Sequence, residues 1–318
     1  MDIEWLLPKN IFEFSVILLS ILALDVIYPK HTGILYRIHP VHTAYEMSLS
    51  LYRKFPKTRV AGVIIWFIVV STHTIIYTLI LYMLSKIHRI LWLVFSVYIL
   101  KTSTSIKLLV DHVTDVYHCL RRENLMCARE AVSNIVRRDV KNLGEGHVAS
   151  AAIESLFENI VDSFTSPLLY FLVLGPIGAL IQRIANALDA ALGYKHEPFK
   201  YVGWFSAKMD TILNFVPARL TAFLLIALCP LAKGSIKKSL AIYLRDKGNT
   251  ESVNSGHPLS AASGCLSIKL EKLGSYTIGK EYCLPTHVDI AKALKLAIYI
   301  TTFYIVLLHI LFIIMHSI

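Results

Sequence analysis

Residues 60–84 read VAGVIIWFIVVSTHTIIYTLILYML, 25 positions without a single Asp, Glu, Lys or Arg. A bilayer core takes about 20 apolar helical residues to cross, so this run spans a membrane, and residues 296–318 repeat the pattern over 23 positions. Residues 90–110 form a third span, with Lys101 and Lys107 near one end, where long side chains snorkel. Residues 11–28 form a fourth, short and carrying Glu13 and Asp25. They lack a basic leader and a small-residue cleavage site, so they read as an uncleaved anchor. Two further apolar stretches are interrupted: 163–182 by Gly175, Pro176 and Gly178, and 211–232 by Pro217 and Arg219. Such segments are tolerated at membrane depth where they face protein or a wet cavity. The expected fold is an all-α polytopic membrane protein with four spans and two broken or re-entrant apolar segments. It forms one integral-membrane domain over residues 1–318. Within it lie a motif-bearing region at 111–219, a polar region at 233–295 and a last helix at 296–318.

Composition agrees with that reading. Of 318 residues, 55% are hydrophobic and 17% charged, with a mean hydropathy of +0.57; soluble domains carry about a quarter charged residues. The net charge of +10 needs no nucleic acid, because cytoplasmic loops collect Lys and Arg. Residues 30–59 hold six of these against Glu46 alone. That loop is expected inside, the amino terminus outside, and residues 111–162 inside. The five cysteines form no CxxC pair, and reduced, mostly buried thiols are the expectation.

The chemistry concentrates in the middle of the chain. Glu154, Glu158 and Asp162 recur at i, i+4 and i+8, stacking three carboxylates on one helical face, with Asn159 between. A hard cation such as Mg²⁺, shared with substrate phosphates, would relieve their repulsion; a solvated acidic face fits the same spacing. Asn186 with Asp189, and Asp210 with Asn214, each share a face; either pair also fits a cap or local hydrogen bond. Lys195, Lys208 and Arg219 supply positive charge close by. Residues 274–280 match GxxxxGK, but Glu281 replaces the Ser or Thr of a P-loop. His39 and His42 do not complete a metal site, and the intramembrane His73 and His309 read as packed or hydrogen-bonded.

The stretch 151–223, AAIESLFENIVDSFTSPLLYFLVLGPIGALIQRIANALDAALGYKHEPFKYVGWFSAKMDTILNFVPARLTAF, closely resembles the CobD/CbiB family of cobalamin biosynthesis. The matching elements are Glu-Asn-x-x-Asp, Asn-x-x-Asp with Gly193-Tyr194-Lys195, Gly203, and Asn214-x-x-Pro217-Ala218-Arg219. Asp25 with Pro29, His39-Pro40-Val41, Arg138-Asp139, Asn254-Ser-Gly256 and Leu273 to Gly279 extend the resemblance in order over about residues 20–290. Departures are Ile27-Tyr28-Pro29 for Gly-Asp-Pro, Arg137-Arg138-Asp139-Val140 for Gly-Arg-Asp-Thr, Asp210-Thr211 for a paired Asp-Asp, and Lys208 for Arg.

The resemblance implies a multi-pass cell-membrane enzyme, an adenosylcobinamide-phosphate synthase. It would attach aminopropanol, or its phosphate, by an amide to a propionate of adenosylcobyric acid. Later cobamide-pathway membrane enzymes are possible partners in the bilayer. Activating a carboxylate calls for ATP, and phosphoryl transfer rests on positioning and charge neutralisation. Mg²⁺ would then sit on Glu154, Glu158, Asp162, Asp189 and Asp210. Asn159, Asn186, Lys195, Asn214 and Arg219 would complete the reacting set, and Arg138, Asp139, Lys208, Asn254 and Gly256 the cofactor contacts. The site is expected to open to the cytoplasm. Two other classes compete: a Mg²⁺-dependent intramembrane prenyltransferase, which needs two well-separated Asp-rich motifs, and a transporter or non-catalytic sensor. A transporter should show repeated halves, which the sequence lacks; a sensor should have lost the acids.

Overall fold

The computed structural model describes residues 4–317. Helix α1 (Ile11–Ile27) starts where the Asn10 side chain accepts the Glu13 N–H at 3.0 Å. After α2 (Gly33–Arg37), α3 (Pro40–Lys54) takes Pro40 at its first position and His39 as cap. Thr58 caps α4 (Arg59–Ile87), and His88 both ends α4 and caps α5 (Arg89–Ser103). The chain continues through α6 (Lys107–Arg121), α7 (Leu125–Ser133) and α8 (Glu145–Ile160). A π-helical turn at Val161–Thr165 leads into α9 (Ser166–Leu192). Then come α10 (Trp204–Leu213), α11 (Phe215–Leu228), α12 (Ile236–Asp246) and α13 (Gly256–Leu266). An antiparallel hairpin, β1 (Leu270–Lys272) with β2 (Tyr276–Ile278), precedes α14 (His287–His316).

The all-α membrane expectation holds, and the structure changes its details. Among the described residues, five helical segments are long and apolar enough to cross a membrane: Arg59–Ile87, Arg89–Arg121, Glu145–Leu192, Phe215–Ala232 and His287–His316. The expected anchor forms as α1, but at 17 residues it reaches only about 25 Å. The expected span at 90–110 falls within Arg89–Arg121, but its helix is interrupted. Thr102, Ser103 and Thr104 turn their hydroxyls back onto the carbonyls of Ile99 and Leu100 at 2.8–2.9 Å, which competes with the helical ladder, and α5 stops. The break in 163–182 falls where Gly175 and Pro176 place it: Gly175 has φ 63°, and a β-carbon there would lie 2.3 Å from the Leu6 carbonyl oxygen. In 211–232 the interruption is at Asn214, and Pro217 sits in the first turn of α11, where it is tolerated.

The expectation of reduced thiols fails at the turn between α6 and α7, where Cys119 and Cys127 form a disulfide. Cys229, Cys265 and Cys283 are free. His73 bonds Thr43 at 3.0 Å and His309 bonds Ser15 at 3.0 Å, as their packed reading requires. The GxxxxGK stretch forms the hairpin turn and β2, not the strand–loop–helix of a P-loop.

The chain divides into two compact units, neither contiguous. The first comprises residues 1–105, 162–214 and 307–318. Its interior includes Phe14 stacked on Phe171 and Phe312, at 5.3 and 4.3 Å between centroids, contacts worth about 0.5–1.5 kcal/mol beyond burial. Two of the charges in the apolar runs neutralise each other here: Lys101 bonds Asp25 at 2.8 Å, both buried. Glu13 is likewise held by Arg89, Nε to Oε1 at 2.9 Å. The second unit comprises residues 106–161 and 215–306. Its core is built on α8, buried from Val148 to Phe157, and on α13, buried throughout. The outer residues of α4 and α14, among them Phe67, Ile75, Ile310 and Ile314, stay exposed, which is how a lipid-facing surface looks without its lipid.

Candidate functional site

In the first unit, Asn214 is the hub of a polar network inside otherwise apolar helices. It follows the last residue of α10, and its Nδ2 donates to Oδ1 of both Asp162 and Asp210, at 3.0 Å each. Two carboxylates on one amide fix which end of the side chain is nitrogen. Its Oδ1 accepts from Gln182 at 3.1 Å. Asn186 donates to the same Asp210 oxygen at 3.0 Å and accepts from Arg183 at 2.7 Å. Arg183 also reaches the Asp162 carbonyl at 3.4 Å. The π turn carries Asp162, α9 carries Gln182, Arg183 and Asn186, and α10 carries Asp210. π turns of this kind recur at functional sites. Burial pushes the Asp210 carboxyl above its ordinary range, while the Asn186 and Asn214 amides and the Arg183 charge pull it back; the net direction is up.

In the second unit, Glu154 on α8 is buried and fully engaged. Its Oε1 accepts from Ser150 at 2.5 Å, and its Oε2 accepts from Tyr276 at 2.7 Å and Arg138 at 3.2 Å. The hairpin is fixed against α8 because Ser150 Oγ also accepts the Glu271 N–H at 2.8 Å. Glu158, one turn on, has Lys272 and Arg138 as electrostatic neighbours and bonds Ser255. Arg138 and Lys272 bring positive charge to the stacked carboxylates, and Ser150 and Tyr276 donate to Glu154. Arg219 on α11 donates through Nη1 to the Phe215 carbonyl at 2.7 Å and to Asn254 Oδ1 at 3.4 Å. Gly256 opens α13.

The other expected site residues lie on α8, on α10, in the last turn of α9 and in the loops that follow α7 and α9. Asn159 turns back onto Ser155 of its own helix, at 2.8 Å to the carbonyl. Asp139 is exposed and caps the Lys141 N–H at 2.9 Å. Asp189 is half-buried in the last turn of α9, and its carbonyl accepts the Gly193 N–H at 2.7 Å. Lys195 is exposed in the loop beyond α9, and Lys208 is exposed on α10. Two residues before Asp210, Lys208 lies roughly 200° round the helix. The cation that meets Asp210 is instead Arg183, which sequence reasoning missed although Arg183 and Asn186 stand at i, i+3. Among the described residues, no three His, Cys, Asp or Glu side chains gather closely enough to hold a metal by themselves. The N-terminal histidines pair differently from their spacing. His39 meets His31 edge-on at 4.7 Å, while His42 stacks on Tyr36 at 4.2 Å.

Fold and site together define a polytopic all-α membrane protein that keeps a network of carboxylates, amides and a guanidinium among apolar helices. Residues 18–297 match the family described as "CobD/Cbib protein". An Aeropyrum pernix protein named "Probable cobalamin biosynthesis protein CobD" is 41% identical over 286 residues, 90% of this chain and 89% of its own. Its namesake from Methanothermobacter thermautotrophicus is 36% identical over 269 residues, 84% and 87% of the two chains. The "Cobalamin biosynthesis protein CobD" of Leptospira interrogans is 34% identical over 243 residues, 75% and 77%. No solved structure matches. The chain belongs to the CobD/CbiB family, and its role lies in cobalamin biosynthesis.

Proposed function

We propose that the chain is an ATP-dependent carbon–nitrogen ligase that joins aminopropanol, or its phosphate, to a propionate of the corrinoid adenosylcobyric acid. The observation that carries this reading is the Arg183–Asn186–Asp210–Asn214–Asp162 network. Ionised groups are costly within apolar helices and mark functional sites, and this set of hard oxygen donors beside a guanidinium suits phosphate chemistry. The family supplies the substrate class, which no geometry could.

The reaction balances as two displacements. A propionate oxygen bonds the γ-phosphorus of ATP, the bond to the bridging oxygen breaks, and ADP leaves. The amine nitrogen then bonds the acyl carbon, phosphate departs with the carboxylate oxygen it took, and one amine proton is released. Arg183 would neutralise phosphate charge as the transferring group loosens. Mg²⁺ fits the first unit on the chemistry of its donors. Asp162 and Asp210 are drawn together on one amide, and Asp210 Oδ2 has no protein donor among the described residues. Two carboxylates with substrate phosphates and water make the mixed oxygen shell that Mg²⁺ prefers. When bound, the ion would supply charge neutralisation at the phosphates. Asp162 and Asp210 would hold it, while Asn214 fixes both carboxylates, Asn186 fixes Asp210 and Gln182 fixes Asn214. Glu154, which accepts from both, would hold Arg138 and Tyr276 in place.

The positive-inside pattern supports a cytoplasmic site, where ATP is found. One experiment covers both statements: membrane vesicles of each orientation receive adenosylcobyric acid, aminopropanol phosphate, ATP and Mg²⁺. The expected result is the cobinamide phosphate, with ADP and phosphate in equal amounts, only from inside-out vesicles. No product from either orientation, nor from detergent-purified and folded protein, would defeat the ligase reading.

A further inference from the structure

The second unit contains a cavity of about 420 Å³ lined by Arg219, Tyr243, Lys247, Thr250, Ser252 and His257, within the range of small-molecule sites. Its charge is one-sided. No Asp or Glu lines it. Among the described residues Lys247 has no carboxylate partner; it lies 5.2 Å from the centre of the Tyr243 ring. Arg219 uses Nη1 alone on protein acceptors, leaving Nε and Nη2. The other surface guanidinium of this unit's C-terminal half, Arg245, is by contrast clamped between Asp246 at 2.7 Å and Glu281 at 2.8 Å.

The walls are built rather than loose. A β-carbon on Gly256 would lie 2.2 Å from the Lys247 carbonyl oxygen and 2.8 Å from Thr250 Oγ1, so only glycine lets the 247–255 loop close on the start of α13. Thr250 donates to the Ser252 carbonyl at 2.7 Å. Ser252 Oγ accepts the N–H groups of Asn254 and Ser255 at 3.3 and 3.4 Å, so its own hydroxyl proton stays available. Tyr243 and His257 share a hydrogen bond of 3.0 Å. Burial first, then Arg219 and Lys247, hold the His257 imidazole down at about 4, as expected of a ring inside a positive field.

From this cavity we infer a binding site for a small phosphate monoester: Arg219 and Lys247 neutralise its two charges, and Ser252 and the Tyr243–His257 pair hydrogen-bond its oxygens. A monoester carries close to two negative charges at neutral pH, which a carboxylate cannot match. Resting on the ligase reading above, the inference names the phosphorylated amine as the occupant, because the cavity is at the small end of the range. A nucleotide phosphate shares the chemistry and is the competing source.

The test uses the full chain in detergent and measures KM separately for aminopropanol phosphate, unphosphorylated aminopropanol and ATP, for the native protein, Lys247→Met and Lys247→Arg. Losing a charged hydrogen-bonding partner should raise KM for the phosphorylated amine about 10- to 100-fold. Selectivity over the unphosphorylated amine should fall by the same factor, and Lys247→Arg should recover most of it. An equal change for both amines, or a rise confined to ATP, would overturn the inference. If the native protein makes no product with any amine, the ligase reading fails and the site is judged by equilibrium dialysis with radiolabelled aminopropanol phosphate. Saturable binding that Lys247→Met weakens at least tenfold supports it, and absence of saturable binding overturns it.

Discussion

Asp210 joins stability and function at a single carboxylate. Its pKa in the fold is raised, so the fold favours its protonated form. That stabilising preference is complete at low pH and is lost as pH climbs from the unfolded value through the folded one. At neutral pH the ionised side chain is therefore a liability to the fold that the proposed cation and phosphates offset. Asp210→Asn keeps an oxygen for Asn186 and Asn214 and removes the charge. We expect ligase activity to fall about 10²-fold, of the order seen when one group at a charge-stabilising site is removed, with an unchanged or higher unfolding temperature in detergent. An equal loss of both would make Asp210 merely structural. Asp162, Asn186, Asp210 and Asn214 were legible because short polar spacings stand out within apolar runs. Arg183 was not, since it reads as the edge of an apolar segment, and the Cys119–Cys127 pairing carries no periodic signal at a separation of eight.

Helices were legible wherever apolar runs were long, and their breaks were legible only where Gly and Pro announce them. Gly175 illustrates the readable case: its positive φ and the Leu6 carbonyl leave no room for a side chain. Gly175→Ala should destabilise the protein by more than about 1 kcal/mol, seen as a lower unfolding temperature in detergent; an unchanged temperature would show that α9 can straighten there. The interruption of the 90–110 run was hidden because Thr and Ser look neutral in a hydropathy profile. It depends on where three hydroxyls turn, which only the folded chain shows. The π turn at Val161–Thr165 is equally silent in the sequence, where Glu154, Glu158 and Asp162 read as one straight helical face. In the fold, α8 ends at Ile160, before Asp162.

For the molecule as a whole, composition and two uncharged runs were enough to establish a helical membrane protein. The division into two units was not readable, because each is assembled from stretches distant in sequence and nothing local marks the crossings. Family membership carries the pathway, while the polar networks of each unit carry the proposed chemistry of carboxylate activation. That step is open to isotope tracing. Adenosylcobyric acid labelled with ¹⁸O in the reacting carboxylate, incubated with the purified protein, ATP, Mg²⁺ and the amine, should release phosphate carrying one ¹⁸O per cobinamide formed. Product accompanied by unlabelled phosphate, or label found in AMP, would contradict activation through an acyl phosphate.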